Sequence, residues 1–352
     1  MKRLALFLLP LVFLGVGCLN FGNNKPKVPD GGVFKTTDAG QTWVQVTAVP
    51  TVQGVGTLST TNVGQLVLDP NDEAFLYLAT QNNGLLYSED AAGSWEQPRG
   101  AMMKDGTVSA VAVDPKDSCT VYVAKGPRLY KSTNCMRSFV DGVYVETRPN
   151  ITITEIAADW YTKGNVFIGL SNGDVLKSAD GGKSWKSLLK TGFSVTGILF
   201  SNKDSRQMLV SSVDSGIQRT LDSGEHWDKV VGNKVALGTT ESIYRFVQTK
   251  DGSTVFASTK NGIARSTDFG FTWQPLKLLT APGEVTIRAL GISPTDPKII
   301  YYATTSTFYR SADGGVTWET KKFPSARIPQ TLQVDPKDSS VLYIGVVEPT
   351  KK

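Results

Sequence analysis

An eight-residue motif that ends in tryptophan recurs seven times, and this recurrence constrains the fold more than any other feature of the chain. The general form is S/T-x-D-x-G-x-S/T-W, and six of the seven tryptophans in the chain close a copy of it. Successive copies are about 45 residues apart, a period typical of propellers and other repeat folds. The copies begin at Thr36, Ser88, Ser132, Ser178, Thr220, Ser266 and Ser311.

A second motif alternates with the first and supplies the strands. It consists of an apolar run, a turn rich in Pro, Asp or Gly, and another apolar run, as in "LVLDPNDEAFLYLAT" from Leu66 and "LQVDPKDSSVLYIGV" from Leu332. That pattern predicts a hairpin of two strands, A and B. A short apolar stretch before each octapeptide predicts strand C, and strand D begins near the tryptophan. Four antiparallel strands per repeat indicate the blade of a β-propeller, and seven blades fit the length.

The two ends of the repeat region are complementary. The chain enters the repeats at a C strand, Gly32–Lys35, and leaves them on an A–B hairpin, Leu332–Val346. We therefore expect the C-terminal hairpin to pair with the N-terminal C–D strands and to close the ring, which removes two exposed sheet edges. The predicted propeller spans residues 32–347, followed by a tail of residues 348–352.

The octapeptide resembles the Asp-box, or BNR repeat, of bacterial sialidases, sortilins, xyloglucanases and photosystem II assembly factors. The resemblance covers residues 32–347 and implies an all-β, seven-bladed propeller of four-stranded antiparallel blades. It also implies a structural role for the repeated residues, since the box in those families lies away from the ligand face. The side chains fit that role, because Ser and Asp bond to nearby amides, Gly permits positive φ, and Trp packs between sheets. The residues concerned are Asp38, Trp43, Asp90, Trp95, Asp180, Trp185, Asp222, Trp227, Asp268, Trp273, Asp313 and Trp318.

The third copy departs from the pattern. Asn134 and Met136 stand at the usual Asp and Gly positions, with Cys135 between them. Cys119 lies in the A–B turn of the same blade, and the A–B and C–D turns of a four-stranded meander are on the same side. We therefore predict a Cys119–Cys135 disulfide that replaces turn bonds this copy has lost. Two unpaired buried thiols are the alternative.

The N-terminus reads as a targeting segment. A basic start is followed by an apolar run, Leu4–Gly17, that is too short to span a bilayer comfortably. The small residues before Cys18 resemble the lipobox of bacterial lipoproteins, which implies cleavage of a signal peptide (residues 1–17) and lipidation of Cys18. Residues 18–31 then form a lipidated tether, and the protein is exported and anchored to the cell envelope on its periplasmic or extracellular face. An ordinary secretory signal is the alternative.

Candidate ligand-binding residues lie on the face opposite the octapeptides. That face is made by the B–C loops and by long, irregular D–A loops such as Thr47–Asn62. Glu155, Arg245 and Arg288 sit at or just before strand A, which lines the central channel, and Tyr144 and Arg148 lie in a D–A loop. Local packing is the alternative role for the loop residues.

A basic series also precedes six of the seven octapeptides. Because it repeats with the blade, it indicates a solvated ring at the C-strand ends, with a ring that binds an acidic partner as the alternative. The series is Lys35, Lys131, Lys177, Arg219, Arg265 and Arg310.

Composition and motifs favour a non-catalytic role. A net charge of +5, evenly spread, does not indicate a nucleic-acid partner, and one histidine, His226, leaves little room for His-based metal or triad chemistry. The Arg-Ile-Pro at 327–329 is similar to a sialidase motif but follows the last octapeptide, whereas in that family it precedes the first. Xyloglucanases place two catalytic aspartates in a cleft between two propellers, whereas the repeats of this sequence predict one propeller.

We therefore expect a membrane-anchored platform that binds a protein partner and needs no cofactor, metal or catalytic residue. A glycoside hydrolase of the sialidase or xyloglucanase type, or a glycan-binding module, is the alternative.

Overall fold

A computed structural model describes residues 29–230 and 242–349 of the chain. The regular secondary structure of these two stretches consists of β-strands. Within them, no helix has the length and hydrophobicity needed to cross a membrane. The predicted signal peptide, Cys18 and most of the tether lie outside the described residues. Cleavage and lipidation therefore stay predictions.

The strands follow the predicted repeat. The first four are β1 (Gly32–Thr36), β2 (Val44–Gln45), β3 (Ala48–Thr51) and β4 (Gly54–Thr57). The next eleven are β5 (Val63–Leu68), β6 (Leu76–Thr80), β7 (Leu85–Ser88), β8 (Ala110–Asp114), β9 (Asp117–Lys125), β10 (Arg128–Ser132), β11 (Val140–Val145), β12 (Ile153–Ala158), β13 (Val166–Leu170), β14 (Asp174–Ser178) and β15 (Lys186–Lys190). The others are β16 (Val195–Phe200), β17 (Met208–Ser212), β18 (Gly216–Thr220), β19 (Asp228–Val230), β20 (Ile243–Gln248), β21 (Val255–Thr259), β22 (Gly262–Ser266), β23 (Gln274–Pro275), β24 (Ala289–Ile292), β25 (Ile300–Ala303), β26 (Thr307–Ser311), β27 (Glu319–Lys322), β28 (Ile328–Val334) and β29 (Leu342–Val347).

These strands form seven antiparallel blades, as predicted. Blade 1 is β5–β7, and its fourth strand is reduced to one antiparallel bridge between Tyr87 and Glu96. Blades 2 to 6 are the consecutive quartets β8–β11, β12–β15, β16–β19, β20–β23 and β24–β27. Blade 7 combines both ends of the repeat region in the order β2-β1-β29-β28. The innermost strand of every blade contacts the innermost strands of the blades on either side, and β28 contacts β5, so the ring is closed.

Ring closure rests on a ladder between β1 and β29. The pairing runs from Gly32 opposite Val346 to Thr36 opposite Leu342, which confirms the predicted register of the two ends. A polar clasp adds to it, because Arg327 donates to Asn62 Oδ1 at 2.8 Å and lies 3.6 Å from Asp30. The N–H of Glu348 donates to the same oxygen of Asn62 at 2.7 Å. Arg327 is the arginine of the Arg-Ile-Pro segment, and here it is buried in the closure.

The core lies between the blades. The second strand of most blades is rich in apolar residues, such as LYLAT in β6 and VFIGL in β13, and every residue of these two strands is buried. Such runs are expected when both faces of a sheet are covered by neighbours. The indole of Trp95 is fully buried and donates to the carbonyl of Val46 in the preceding blade at 2.9 Å. Trp185 and Trp318 donate in the same way to Val143 and Lys277.

The octapeptides fold into seven equivalent turns on one face. In every copy the first Ser or Thr hydroxyl accepts the N–H of the residue four positions later, at 2.7–3.1 Å. The Asp carboxylate then accepts the N–H four positions after itself, as Asp38 does from Thr42 at 2.9 Å. Hydrogen bonds from Thr36 and Thr42 lower the pKa of Asp38 to about 2. These carboxylates are therefore occupied with their own turn.

The third copy contains the predicted Cys119–Cys135 disulfide but has not lost its turn bonds. Asn134 Oδ1 accepts the Ser138 N–H at 2.9 Å, as the aspartates do in the other copies. The proposed reason for the bridge was therefore wrong. The two cysteines come together because the octapeptide turn already packs on the A–B turn of its own blade. In this copy the N–H of Cys135 donates to the carbonyl of Cys119 at 3.1 Å, and Ala91 and Ala74 make the same bond in blade 1.

Candidate functional site at the channel mouth

The inner strands share an irregularity that shapes the channel. In five blades the pairing of the inner strand with its neighbour skips one residue, a β-bulge near the start of the inner strand. A bulge leaves one residue without a ladder partner and redirects its side chain. The skipped residues are Gly64, Thr154, Thr196, Tyr244 and Gln330.

A polar cavity of about 160 Å³ lies where these strands begin, on the face of the D–A loops. Six blades contribute residues to it, and it brings Glu155, Arg245 and Arg288 together as the sequence suggested. The remaining lining residues are Gly64, Gln65, Ser109, Tyr244 and Gln330. We call this cavity the channel mouth.

Two of the neutral residues of the channel mouth hold adjacent blades together. Gln65 Oε1 accepts the N–H of Val111 at 2.8 Å, and Ser109 Oγ donates to the carbonyl of Ile153 at 2.7 Å. These two oxygens are therefore engaged within the ring.

The charged residues of the channel mouth are not paired with one another. No ion pair joins Glu155 to Arg245, so their charged atoms are more than 4.0 Å apart. Arg245 Nε is buried and has no hydrogen-bond partner in the part of the chain that the structure describes. The Arg288 guanidinium lies over the ring of Tyr244, 5.0 Å from its centroid. Two guanidinium groups from adjacent blades therefore face a small polar space.

Burial sets the ionisation of this cluster. Desolvation raises the pKa of Glu155 to about 8, although the positive charge of Arg245 opposes the shift. Desolvation also lowers the pKa of Arg245, a group that stays charged in proteins. Near neutral pH Glu155 is therefore mostly neutral, and the charge of the channel mouth comes from the guanidinium groups of Arg245 and Arg288.

Tyr144 and Arg148 belong to a second network, between blades 2 and 3, and not to the channel mouth. Arg148 donates to both oxygens of Glu146, at 2.9 and 2.7 Å, and to Asp174 Oδ2 at 2.7 Å. Tyr144 donates to Glu146 Oε2 at 2.8 Å. The hydrogen bonds from Arg148 lower the pKa of Glu146 to about 2. Sequence reasoning missed Glu146 and Asp174, although the Glu-x-Arg spacing at 146–148 was a signal for the first of them.

Two lysines of the basic series at the C-strand ends connect neighbouring blades. Lys35 Nζ donates to the carbonyl of Ala91 at 2.8 Å, and Lys131 Nζ donates to that of Gly181 at 2.8 Å. Each acceptor lies in the octapeptide turn of the next blade. Burial lowers the pKa of Lys131, which fits a cation held between sheets. These two lysines therefore belong neither to a solvated ring nor to a ring that binds an acidic partner.

The first D–A loop is more regular than predicted. Residues 47–62 contain a two-stranded ribbon, β3–β4, in which Val49 pairs with Gly56 and Pro50 with Val55. The strands are only four residues long and contain Pro50, which weakens a strand pattern in the sequence. Val52 and Val55 are exposed at the ribbon. A groove of about 530 Å³ separates the ribbon from the 96–99 segment of blade 1.

Comparisons with known proteins support the fold. No family model matches the chain. A xyloglucanase of Acetivibrio thermocellus, Xgh74A, is 28% identical over 206 residues, which cover 50% of this chain and 24% of that protein. A probable oligoxyloglucan-reducing end-specific xyloglucanase of Neosartorya fischeri is 23% identical and covers 62% of this chain and 31% of its own length. The chain thus spans about a quarter to a third of these curated relatives.

Solved structures of two kinds are similar to this chain. A GH74 enzyme of Niastella koreensis has a TM-score of 0.66 at 15% identity, covering 89% of this chain and 53% of that one. A structure described as YCF48 bound to D1 peptide has a TM-score of 0.62 at 18% identity, covering 87% of this chain and 96% of that one. The likeness is one of fold. The neighbours include both glycoside hydrolases and a single propeller with a bound peptide.

Proposed function

We propose that this chain is an exported, lipid-anchored propeller that binds a protein partner on its D–A loop face and acts as a non-catalytic platform. The observation that carries the proposal is the charge of the channel mouth. Two arginines and one carboxylate of raised pKa suit recognition of a partner group more than hydrolysis of a glycosidic bond. Glycosidases commonly need two carboxylates, one to protonate the leaving group and one to act as nucleophile or base.

The layout of the chain supports the same reading. The YCF48 structure matches over nearly its whole length, whereas the GH74 chain continues for about as long again beyond the matched part. The described propeller thus corresponds to nearly all of the peptide-bound YCF48 structure and to about half of the GH74 chain. Another structural neighbour is described as the extracellular domain of a one-component system, which agrees with export.

Glycan binding or hydrolysis is the second candidate, because the curated relatives are named xyloglucanases. The two carboxylates of the network between blades 2 and 3, Glu146 and Asp174, do not favour catalysis. Both groups accept hydrogen bonds from Arg148, and a carboxyl with its pKa near 2 is a poor proton donor at neutral pH. Release of reducing sugar from xyloglucan by the full chain, abolished in Glu146→Gln, would support the enzyme instead.

Site-specific photo-crosslinking in cells tests the platform proposal. A photoreactive residue at Val52, in the exposed ribbon, should give a discrete crosslinked protein band. Val316 is the matched control, since it is also an exposed valine but lies in an octapeptide turn on the opposite face. A band from Val316 alone, or no band from either position at normal expression, would contradict a partner on the D–A loop face.

A further inference from the structure

We propose that the channel mouth binds a single carboxylate group, an acidic side chain of the protein partner, between Arg245 and Arg288. This inference rests on the proposed function for the source of the carboxylate, but the site itself is argued from the cavity. The space is enclosed by six blades and is lined almost entirely by polar side chains.

Arg245 and Arg288 have no hydrogen bond from their guanidinium groups to another side chain of the described residues. Arg148, Arg206 and Arg327 each donate to a side-chain oxygen within the described chain, so their guanidinium groups are occupied. Arg245 instead has a buried Nε without a partner, and Arg288 contacts the face of Tyr244 without a hydrogen bond to a described residue. A buried donor without a partner is costly, so an acceptor arriving in this cavity gains a bond that the empty protein lacks.

The geometry of the two guanidinium groups indicates which kind of acceptor fits the cavity. Guanidinium groups present paired N–H donors that match the two oxygens of a carboxylate. The cavity of about 160 Å³ has room for several water molecules or for the end of an acidic side chain. Glu155 is mostly protonated near neutral pH, because burial raises its pKa to about 8, so it adds little negative charge that would repel a bound carboxylate. When protonated, Glu155 also supplies an O–H donor.

Access to the cavity is from the face of the D–A loops. The bulges place the cavity at the start of the inner strands, where the D–A loops meet the channel. Arg245 also lines a second cavity of about 240 Å³ formed by later residues of the inner strands, including Gln248 and Gln333. Arg245 therefore lies where the channel mouth borders the deeper channel.

Calorimetric titration of the full chain at low salt tests the site with glutarate monomethyl ester as the probe. We expect millimolar binding of one equivalent, weakened roughly tenfold in both Arg245→Met and Arg288→Met, as loss of a charged hydrogen bond implies. Arg206→Met is the matched control, because Arg206 is exposed and pairs with Asp204 away from the channel. It should leave binding unchanged.

Three results would overturn the proposal: no binding to the wild-type chain, binding that both arginine variants retain, or tighter arginine-dependent binding of inorganic phosphate than of the ester. The unfolding temperature of each variant, measured alongside, separates loss of the site from loss of the fold. The titration is independent of the crosslinking test. Ester binding without a Val52 crosslink would contradict the platform proposal and support the carboxylate site. A Val52 crosslink without ester binding would support the platform proposal and contradict the carboxylate site.

Discussion

The guanidinium of Arg327 donates a 2.8 Å hydrogen bond to the side-chain oxygen of Asn62, and the two residues are 265 positions apart in the chain. This contact joins the beginning of the last inner strand to the residue preceding the first. It lies beside the β1–β29 ladder, so the closure of the ring combines a backbone ladder with a buried polar clasp.

Replacing Arg327 by alanine should destabilise the whole ring. The change removes a buried guanidinium together with its contacts to Asn62 and Asp30, so we expect the free energy of unfolding to fall by about 2–4 kcal/mol. Chemical denaturation measures this. Arg206→Ala is the control, because its exposed pair with Asp204 should contribute less than about 1 kcal/mol. Equal effects of the two substitutions would show that the clasp does not stabilise closure.

The octapeptide turns should tolerate asparagine in place of aspartate. Asp313 accepts the Thr317 N–H at 2.9 Å, and Asn134 already makes the equivalent bond in the third copy. We expect Asp313→Asn to change stability by less than about 1 kcal/mol, whereas Asp313→Ala, which removes the acceptor, should cost about 1–2 kcal/mol. Thermal unfolding of both variants measures the difference. A larger loss for Asn than for Ala would contradict the turn geometry.

The disulfide should contribute measurable stability. Cys119 and Cys135 are 16 positions apart, and closing a loop of that length stabilises a fold by about 3 kcal/mol. The double variant Cys119→Ala/Cys135→Ala should lose about this amount in denaturant, and reductant should then have no further effect on it. Intact mass without reductant checks the bridge directly. Two free thiols in protein that was folded under oxidising conditions would refute the pairing.

Glu155 should make stability depend on pH. Its folded pKa of about 8 lies above the ordinary 4.5, so its favourable contribution is complete below the ordinary value and is lost as pH rises through 8. The titratable groups that face it are Arg245, Arg288 and Tyr244. Glu155→Gln removes the titration, so the variant should gain on the wild type in unfolding temperature, by about 2 °C or more between about pH 5 and about pH 9.

The control for that prediction is Glu89→Gln, since Glu89 is exposed on the opposite face. Its unfolding temperature relative to the wild type should stay constant over the same range. A constant difference for Glu155→Gln as well would mean that its carboxyl titrates normally.

The sequence predicts the ring well because the repeat itself encodes it. Blade count, closure and the Cys119–Cys135 pairing all follow from where each copy begins and ends. The gathering of Glu155, Arg245 and Arg288 also follows, since equivalent positions on inner strands converge on one axis.

What the sequence does not predict are contacts between blades. Lys35 is about 50 residues from the turn that it reaches, and its acceptor is a backbone carbonyl that any residue could supply. The long loop that contains Arg148 suggests a ligand-binding residue, but its partner Asp174 lies across a blade boundary. The ribbon β3–β4 was missed because Pro50 and two glycines obscure the strand pattern.

We expect the repeated turns to stabilise the fold and the opposite face to bind the partner. The most direct measurement is the yield of the Val52 photo-crosslink per folded molecule, together with the unfolding temperature, in Asp313→Ala and in Arg245→Met. We predict that Asp313→Ala lowers the unfolding temperature and leaves the yield unchanged, while Arg245→Met lowers the yield at nearly unchanged unfolding temperature. Loss of crosslinking in Asp313→Ala with full crosslinking in Arg245→Met would contradict the account.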